Sequence, residues 1–215
     1  MEPRVESIAD ELFRRRPELS VCRHEILCAY NILVTCYDNK GKLLVCGNGG
    51  SASDADHIVG ELMKGFLLSR KIDVAYESKL LAMFDNGTQL AAGLQKGLPA
   101  IALSAHSAVS TAVCNDVSPE MAFAQQVFAY ARPEDIFMGL STSGNAKNVV
   151  NAAKIAGSLS LPCIGVTGCH GGKLAPLCYC AIRLPEHETW KVQELTLPVY
   201  HALCAMVESH FFGCG

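Results

Sequence analysis

Apolar residues recur along this chain with two different periods, and the points where the period changes divide it into elements. Val5, Ile8, Ala9, Leu12 and Phe13 form a helical stripe over residues 5–16, which Pro17 ends or breaks. A second stripe, with Val21, Ile26, Leu27, Ile32 and Leu33, predicts a helix over residues 18–37, followed by a turn at Asp38-Asn39-Lys40-Gly41. The period then changes. Leu43-Leu44-Val45-Cys46 is a continuous apolar run that reads as a strand buried on both faces, and it stops at Gly47-Asn48-Gly49-Gly50-Ser51, from which an amphipathic helix departs. Further strands are predicted at 99–104, 135–140, 161–167 and 181–184. Helices are predicted at 120–131, 146–158 and 188–212, with a kink at Pro198. Strands alternating with helices give a doubly wound, mostly parallel α/β sheet, in which ligands collect beyond the carboxyl ends of the strands. Residues 67–97 fit this alternation least. They hold helical pieces at 77–84 and 88–94 around a turn at Asp85-Asn86-Gly87, and read as an excursion that shapes or covers a pocket.

Composition narrows the class. The 215 residues suffice for one sizeable core, and no linker or compositional break divides them, so residues 1–215 read as one domain. Within it, residues 1–41 are extra N-terminal helices and 67–97 an insertion before the second strand. A net charge of −3 with interspersed signs predicts neither a nucleic-acid nor an acidic-membrane partner. No apolar run reaches membrane-spanning length, and the charged start Met1-Glu2-Pro3-Arg4-Val5-Glu6 lacks the apolar segment of a signal peptide, so a cytoplasmic location is expected. The 11 cysteines are odd in number and include no Cys-x-x-Cys pair; most, such as Cys28, Cys46, Cys163 and Cys204, lie in apolar runs as small hydrophobes. Cys178 and Cys180, one residue apart, do not suit a zinc knuckle.

Candidate chemistry gathers at the polar turns. Gly47, Gly49 and Gly50 allow close backbone approach, and the following helix offers free N–H groups and a positive dipole end to an anion, with phosphate the natural guess. The turn has neither the Lys-Ser/Thr ending of a P-loop nor dinucleotide spacing, which points to a smaller phosphorylated molecule. Ser141-Thr142-Ser143-Gly144-Asn145 is a second such turn. Its hydroxyls suit an oxyanion, although Ser, Thr and Asn are also ordinary capping residues. His57 and Glu61, four apart, share one helix face; taken alone they read as a packed histidine and a solvated carboxylate. Gln193 and His201 lie near one face of the last helix. Together the four supply two imidazoles, a carboxylate and an amide oxygen, a donor set for zinc or a similar divalent ion.

These stretches, with Asp54, Leu62, Asn115-Asp116, Thr167-Gly168, Gly171-Gly172-Lys173 and Glu194, strongly resemble the phosphoheptose isomerase family of sugar-isomerase (SIS) domains from about residue 43 to 201. The resemblance implies a three-layer α/β/α, flavodoxin-like SIS domain with a five-stranded, mostly parallel sheet. It also implies a homotetramer with active sites at subunit interfaces. The implied reaction interconverts a ketose phosphate and an aldose phosphate through an enediol, with sedoheptulose 7-phosphate the default substrate. Glu61 and His201 match the family's catalytic pair, as base and acid, and His57, Glu61, Gln193 and His201 match its zinc ligands, so a divalent metal, zinc by default, is the implied cofactor. The phosphate is expected on Ser51, Ser141, Thr142 and Ser143, with Asn48, Gly49, Gly50, Glu61, Asn115, Asp116 and Gln193 toward the sugar. Ala146, Trp190 and Gly65 depart from the heptose enzymes, which usually carry Ser, Asp and Arg there. The competing expectations are a non-catalytic SIS regulator, for which the four-residue donor set has no use, and a sugar-phosphate sensor, which would keep the hydroxyl turn and dispense with Glu61.

Overall fold

The structure is a computed structural model that describes residues 3–213; Met1 and Glu2 of the charged start, and Cys214, lie outside them. Strands β1 (Leu43–Cys46), β2 (Ala100–Ala102), β3 (Ile136–Leu140), β4 (Cys163–Gly168) and β5 (Cys180–Leu184) form one sheet in the order β2-β1-β3-β4-β5. Every pairing is parallel, and in register Val45 stands between Ala102 and Met138. The expected strands are therefore present, with bounds shifted by at most two residues at either end.

The continuous apolar run of β1 is explained by two cores. Leu43 and Val45 face one layer, built from α1 (Pro3–Arg15), α2 (Arg23–Asp38), α3 (Gly50–Met63) and α9 (Thr189–Phe212). Leu44 and Cys46 face the other, where α7 (Ala122–Tyr130) and α8 (Lys147–Ser158) pack. Successive side chains of a strand point to opposite faces, so a strand covered on both sides has no polar position. Burial pushes the Cys22 and Cys163 thiols up to about 11, with Glu25 adding to the rise at Cys22, which keeps them protonated and apolar in character.

Several boundaries differ from the sequence expectation. The predicted helix over 18–37 is a 3₁₀ segment, Pro17–Cys22, leading into α2, because Pro17 fixes the first turn and leaves no amide to extend α1. The piece expected from 120 is likewise a 3₁₀ turn, Pro119–Met121, ahead of α7. Helix α6 (Ser107–Asp116) escaped the pattern altogether: none of its residues is buried, so it has no apolar stripe to read. Helix α9 continues through Pro198 to Phe212. The excursion is a helical hairpin, α4 (Val74–Met83) and α5 (Gly87–Gly93), on a neck closed by an antiparallel bridge between Lys71 and Gln95. Of α4 only Leu80 is buried; Val74, Leu81 and Met83 are exposed.

At the base of that neck lies a buried ion pair. Arg70 donates from Nε to Glu208 Oε1 at 2.8 Å, from Nη1 to the Leu62 carbonyl at 2.6 Å and from Nη2 to the Glu61 carbonyl at 3.0 Å. Glu208 also accepts the backbone N–H groups of Phe66, Leu67 and Leu68 at 2.7, 2.7 and 3.1 Å. Both side chains are essentially inaccessible, at 0% and 1% exposure, and the guanidinium stacks on Phe212. The open carbonyls at the end of α3 are thus satisfied by a residue anchored to α9. Removing one member leaves the other as an uncompensated buried charge. Glu208→Ala should therefore lower the unfolding free energy by about 3–5 kcal/mol, read from urea denaturation.

Candidate active site

Two turns meet at the carboxyl end of the sheet. Gly49, with φ of 56° and ψ of −123°, opens α3 in a conformation that only glycine adopts readily. The amide of Gln193 on α9 lies against Gly50, where an added Cβ would stand 2.6 Å from Nε2. Asn48 and Asn148 exchange two hydrogen bonds, Asn48 Nδ2 to Asn148 Oδ1 at 3.0 Å and Asn148 Nδ2 to Asn48 Oδ1 at 2.9 Å. This amide pair couples the glycine turn after β1 to the start of α8 after β3. Asn148 was missed by sequence reasoning. Its signal, a polar side chain one turn beyond a polar loop, is indistinguishable from ordinary helix-start composition.

The hydroxyl turn divides its residues between holding itself and facing outward. Ser141, 6% exposed, accepts from the Ala146 N–H at 3.5 Å, and Ser143 accepts from the Asn145 N–H at 3.2 Å. The capping expectation is thereby met in part, yet each hydroxyl keeps its hydrogen to donate. Asn145 reaches the loop after β4, accepting from the Lys173 N–H at 3.2 Å. Gly144 has φ of 66°, and a Cβ there would meet the Gly171 carbonyl at 2.1 Å. Ser51 is buried in the first turn of α3, where its backbone N–H is taken by the Asn48 carbonyl at 3.1 Å. Asn115 and Asp116, at the exposed end of α6, bond to each other at 2.7 Å.

The titratable cluster sits where α3 crosses α9. His57 Nε2 is 3.0 Å from Glu61 Oε1, and Glu61 Oε2 receives Lys64 Nζ at 3.2 Å. The His57 and His201 rings meet edge to face with centroids 4.9 Å apart, and Phe66 flanks His201. Nε2 of His201 is buried and has no hydrogen-bond partner among the described residues. Burial first, then the His57 ring, holds the His201 imidazole below its ordinary range against the opposing pull of Glu61. His57, Glu61 and His201 are thus brought together from two helices remote in sequence. Gln193 sits on the glycine turn, and among the described residues no three His, Cys, Asp or Glu side chains form a ready metal cage.

A cavity of about 390 Å³ touches this cluster from the side, lined by α1, Phe66, Leu67, Leu197 and His201. None of the turn residues lines it. Asn48, Gly49, Gly50 and Ser143 of the two turns are exposed.

This arrangement has known counterparts. The SIS domain family model matches residues 91–206. The phosphoheptose isomerase of Helicobacter pylori strain P12 is 38% identical over 181 residues, covering 84% of this chain and 81% of that protein. The chain belongs to the SIS domain family. The phosphoheptose isomerase of Crocosphaera subtropica is 41% identical over 171 residues, 80% of this chain and 74% of that one. Among solved structures, the phosphoheptose isomerase from Neisseria gonorrhoeae superposes with a TM-score of 0.73 at 30% identity, covering 96% of this chain and 97% of that chain.

Gly144 supplies a direct test of how tightly the second turn is built. Gly144→Ala forces a side chain into the left-handed region and against the Gly171 carbonyl, and should lower stability by about 1–3 kcal/mol in chemical denaturation.

Proposed function

We propose that this SIS-family protein is an aldose-ketose isomerase acting on a phosphosugar, with sedoheptulose 7-phosphate as the default substrate. The observation that carries the reading is the meeting of Glu61 and His201 on α3 and α9, the two helices that also bring Ser51 and Gln193 to the glycine turn. The sequence relatives named phosphoheptose isomerase support the same reaction class.

Ketose to aldose conversion needs four proton movements. A base removes a hydrogen from C1 and an acid protonates the C2 oxygen, giving the enediol; then the C1 hydroxyl gives up its proton and C2 receives one. Glu61 is the base that takes and returns the carbon-bound proton. His201 is the acid at oxygen, and its depressed imidazole acts as a neutral N–H donor whose conjugate is not wasted on a proton from solvent. Ser51, Ser141, Thr142 and Ser143 hold the phosphate. Asn48, Gly49, Gly50, Gln193, Asn115 and Asp116 orient the sugar, so that remote binding fixes the reacting carbons against Glu61.

A divalent cation, zinc by default, fits the donors present: His57, Glu61 and His201, with Gln193 as the fourth, would hold it. The unpartnered Nε2 of His201 and the close approach of His57 Nε2 to Glu61 Oε1 support this, since they bring three side chains of the donor set together from two helices. When bound, it would supply electrophilic stabilisation of the enediolate oxygens. Glu61 has two carboxylate oxygens, which allows one to ligate while the other takes the proton. The exposed apolar residues of α4 and the absence of buried residues on α6 support assembly as a homotetramer with shared sites. A cytoplasmic location accords with the apolar, unpaired cysteines; no helix among the described residues is long and apolar enough to cross a membrane.

The test is an isomerisation assay on a panel of five- to seven-carbon phosphosugars, with Glu61→Gln alongside. The variant should lose about 10²–10⁴-fold in kcat while still binding the phosphosugar by calorimetry. Equal turnover by the two proteins, or no turnover of any panel sugar by the wild type, would refute the reading.

A further inference from the structure

Tyr200 precedes His201 on α9 and is 4% exposed. Its ring lies edge-on to both imidazoles, with centroids 5.5 Å from His57 and 5.0 Å from His201. Its hydroxyl is 2.9 Å from His57 Nδ1 and also hydrogen-bonds the half-buried carboxylate of Asp54, one helical turn before His57. Asp54, Tyr200 and His57 therefore form a chain that ends where His57 Nε2 faces Glu61.

The direction of that chain follows from counting hydrogens. The Tyr200 hydroxyl has one hydrogen to donate. Two acceptors compete for it. A carboxylate is the stronger acceptor, and half-buried Asp54 has the greater need of a donor. Tyr200 then has only oxygen lone pairs left for His57, and Nδ1 must carry the hydrogen that joins them. With Nδ1–H committed, the Nε2 lone pair is presented to whatever positive charge sits between it and Glu61.

We infer that Tyr200, oriented by Asp54, is a positioning residue that fixes the His57 ring with Nδ1 as donor and Nε2 directed toward Glu61 and His201. This rests on the proposed use of His57 in holding a divalent cation, for which a hydrogen-bonded far nitrogen is the expected support. Sequence reading gave Tyr200 no role, because a tyrosine on an apolar helix face has the same pattern as any core aromatic.

Two measurements on the purified full chain test it, using Tyr200→Phe, which keeps the ring packing, and Asp54→Ala, which keeps the tyrosine but frees its hydrogen. Zinc affinity is read by competition with a chromophoric chelator. Nitrogen-15 NMR of the metal-free protein reads whether the His57 Nδ1 carries a hydrogen that a partner shields from exchange. The wild type should show a protected Nδ1–H. Tyr200→Phe should lose that protection and bind zinc about 10–100-fold more weakly, and Asp54→Ala should weaken zinc in the same direction. An unprotected Nδ1–H in the wild type, or unchanged zinc affinity in Tyr200→Phe, overturns the inference. If the wild type takes no zinc while the Nδ1–H signal behaves as stated, the cation reading fails and the assignment of Tyr200 as the partner that orients His57 stands.

Discussion

The buried pair of Arg70 and Glu208 is the contact on which the geometry of the candidate site depends. The two catalytic candidates come from helices separated by well over a hundred residues, and parallel sheets do not by themselves fix how two covering helices lie against each other. Arg70 caps the Glu61 and Leu62 carbonyls and bonds to a carboxylate two helical turns beyond His201, so the end of α3 cannot slide along α9 without exposing or stranding a charge. A buried ion pair is weak evidence for stability as such, but here it ties the register of the helix bearing the proposed base to that of the helix bearing the proposed acid. The same cluster anchors the loop at Phe66, which flanks His201.

The two polar turns are fixed by different means. They are joined by the reciprocal Asn48 and Asn148 amides, and the hydroxyl turn is tied in turn to the loop after β4 through Asn145 and the close packing of Gly144 on Gly171. None of these contacts adds charge. The phosphate proposed to bind there would be met by oriented N–H and O–H dipoles and by helix ends, which would leave Glu61 and the imidazoles for the proposed proton movements.

Much of this was legible in the sequence because it depended on strong local signals. A run such as Leu43 to Cys46 has no polar position, and only a strand covered on both faces permits that; the glycine and hydroxyl turns marked strand ends by composition. The convergence of His57 and Glu61 with His201 followed from spacing on two helices together with the family resemblance. What stayed hidden lacked a local signature. Helix α6 buries nothing and so has no stripe, the 3₁₀ turns after Arg16 and Ser118 look like helix starts, and the hairpin at 74–93 keeps most of its apolar residues outside. Arg70, Asn148 and Tyr200 are intelligible only through partners 100 or more positions away, as with Asn48 and Asn148 or Arg70 and Glu208.

The central claim is that α3 and α9 deliver one base and one acid to the same reaction. A double-mutant cycle on kcat/KM with Glu61→Gln, His201→Asn and the double variant tests it most directly, because residues that act as a unit lose their effect together. The account predicts that the double variant is about as impaired as the worse single variant. Losses that multiply would show that the two side chains act independently and would contradict it.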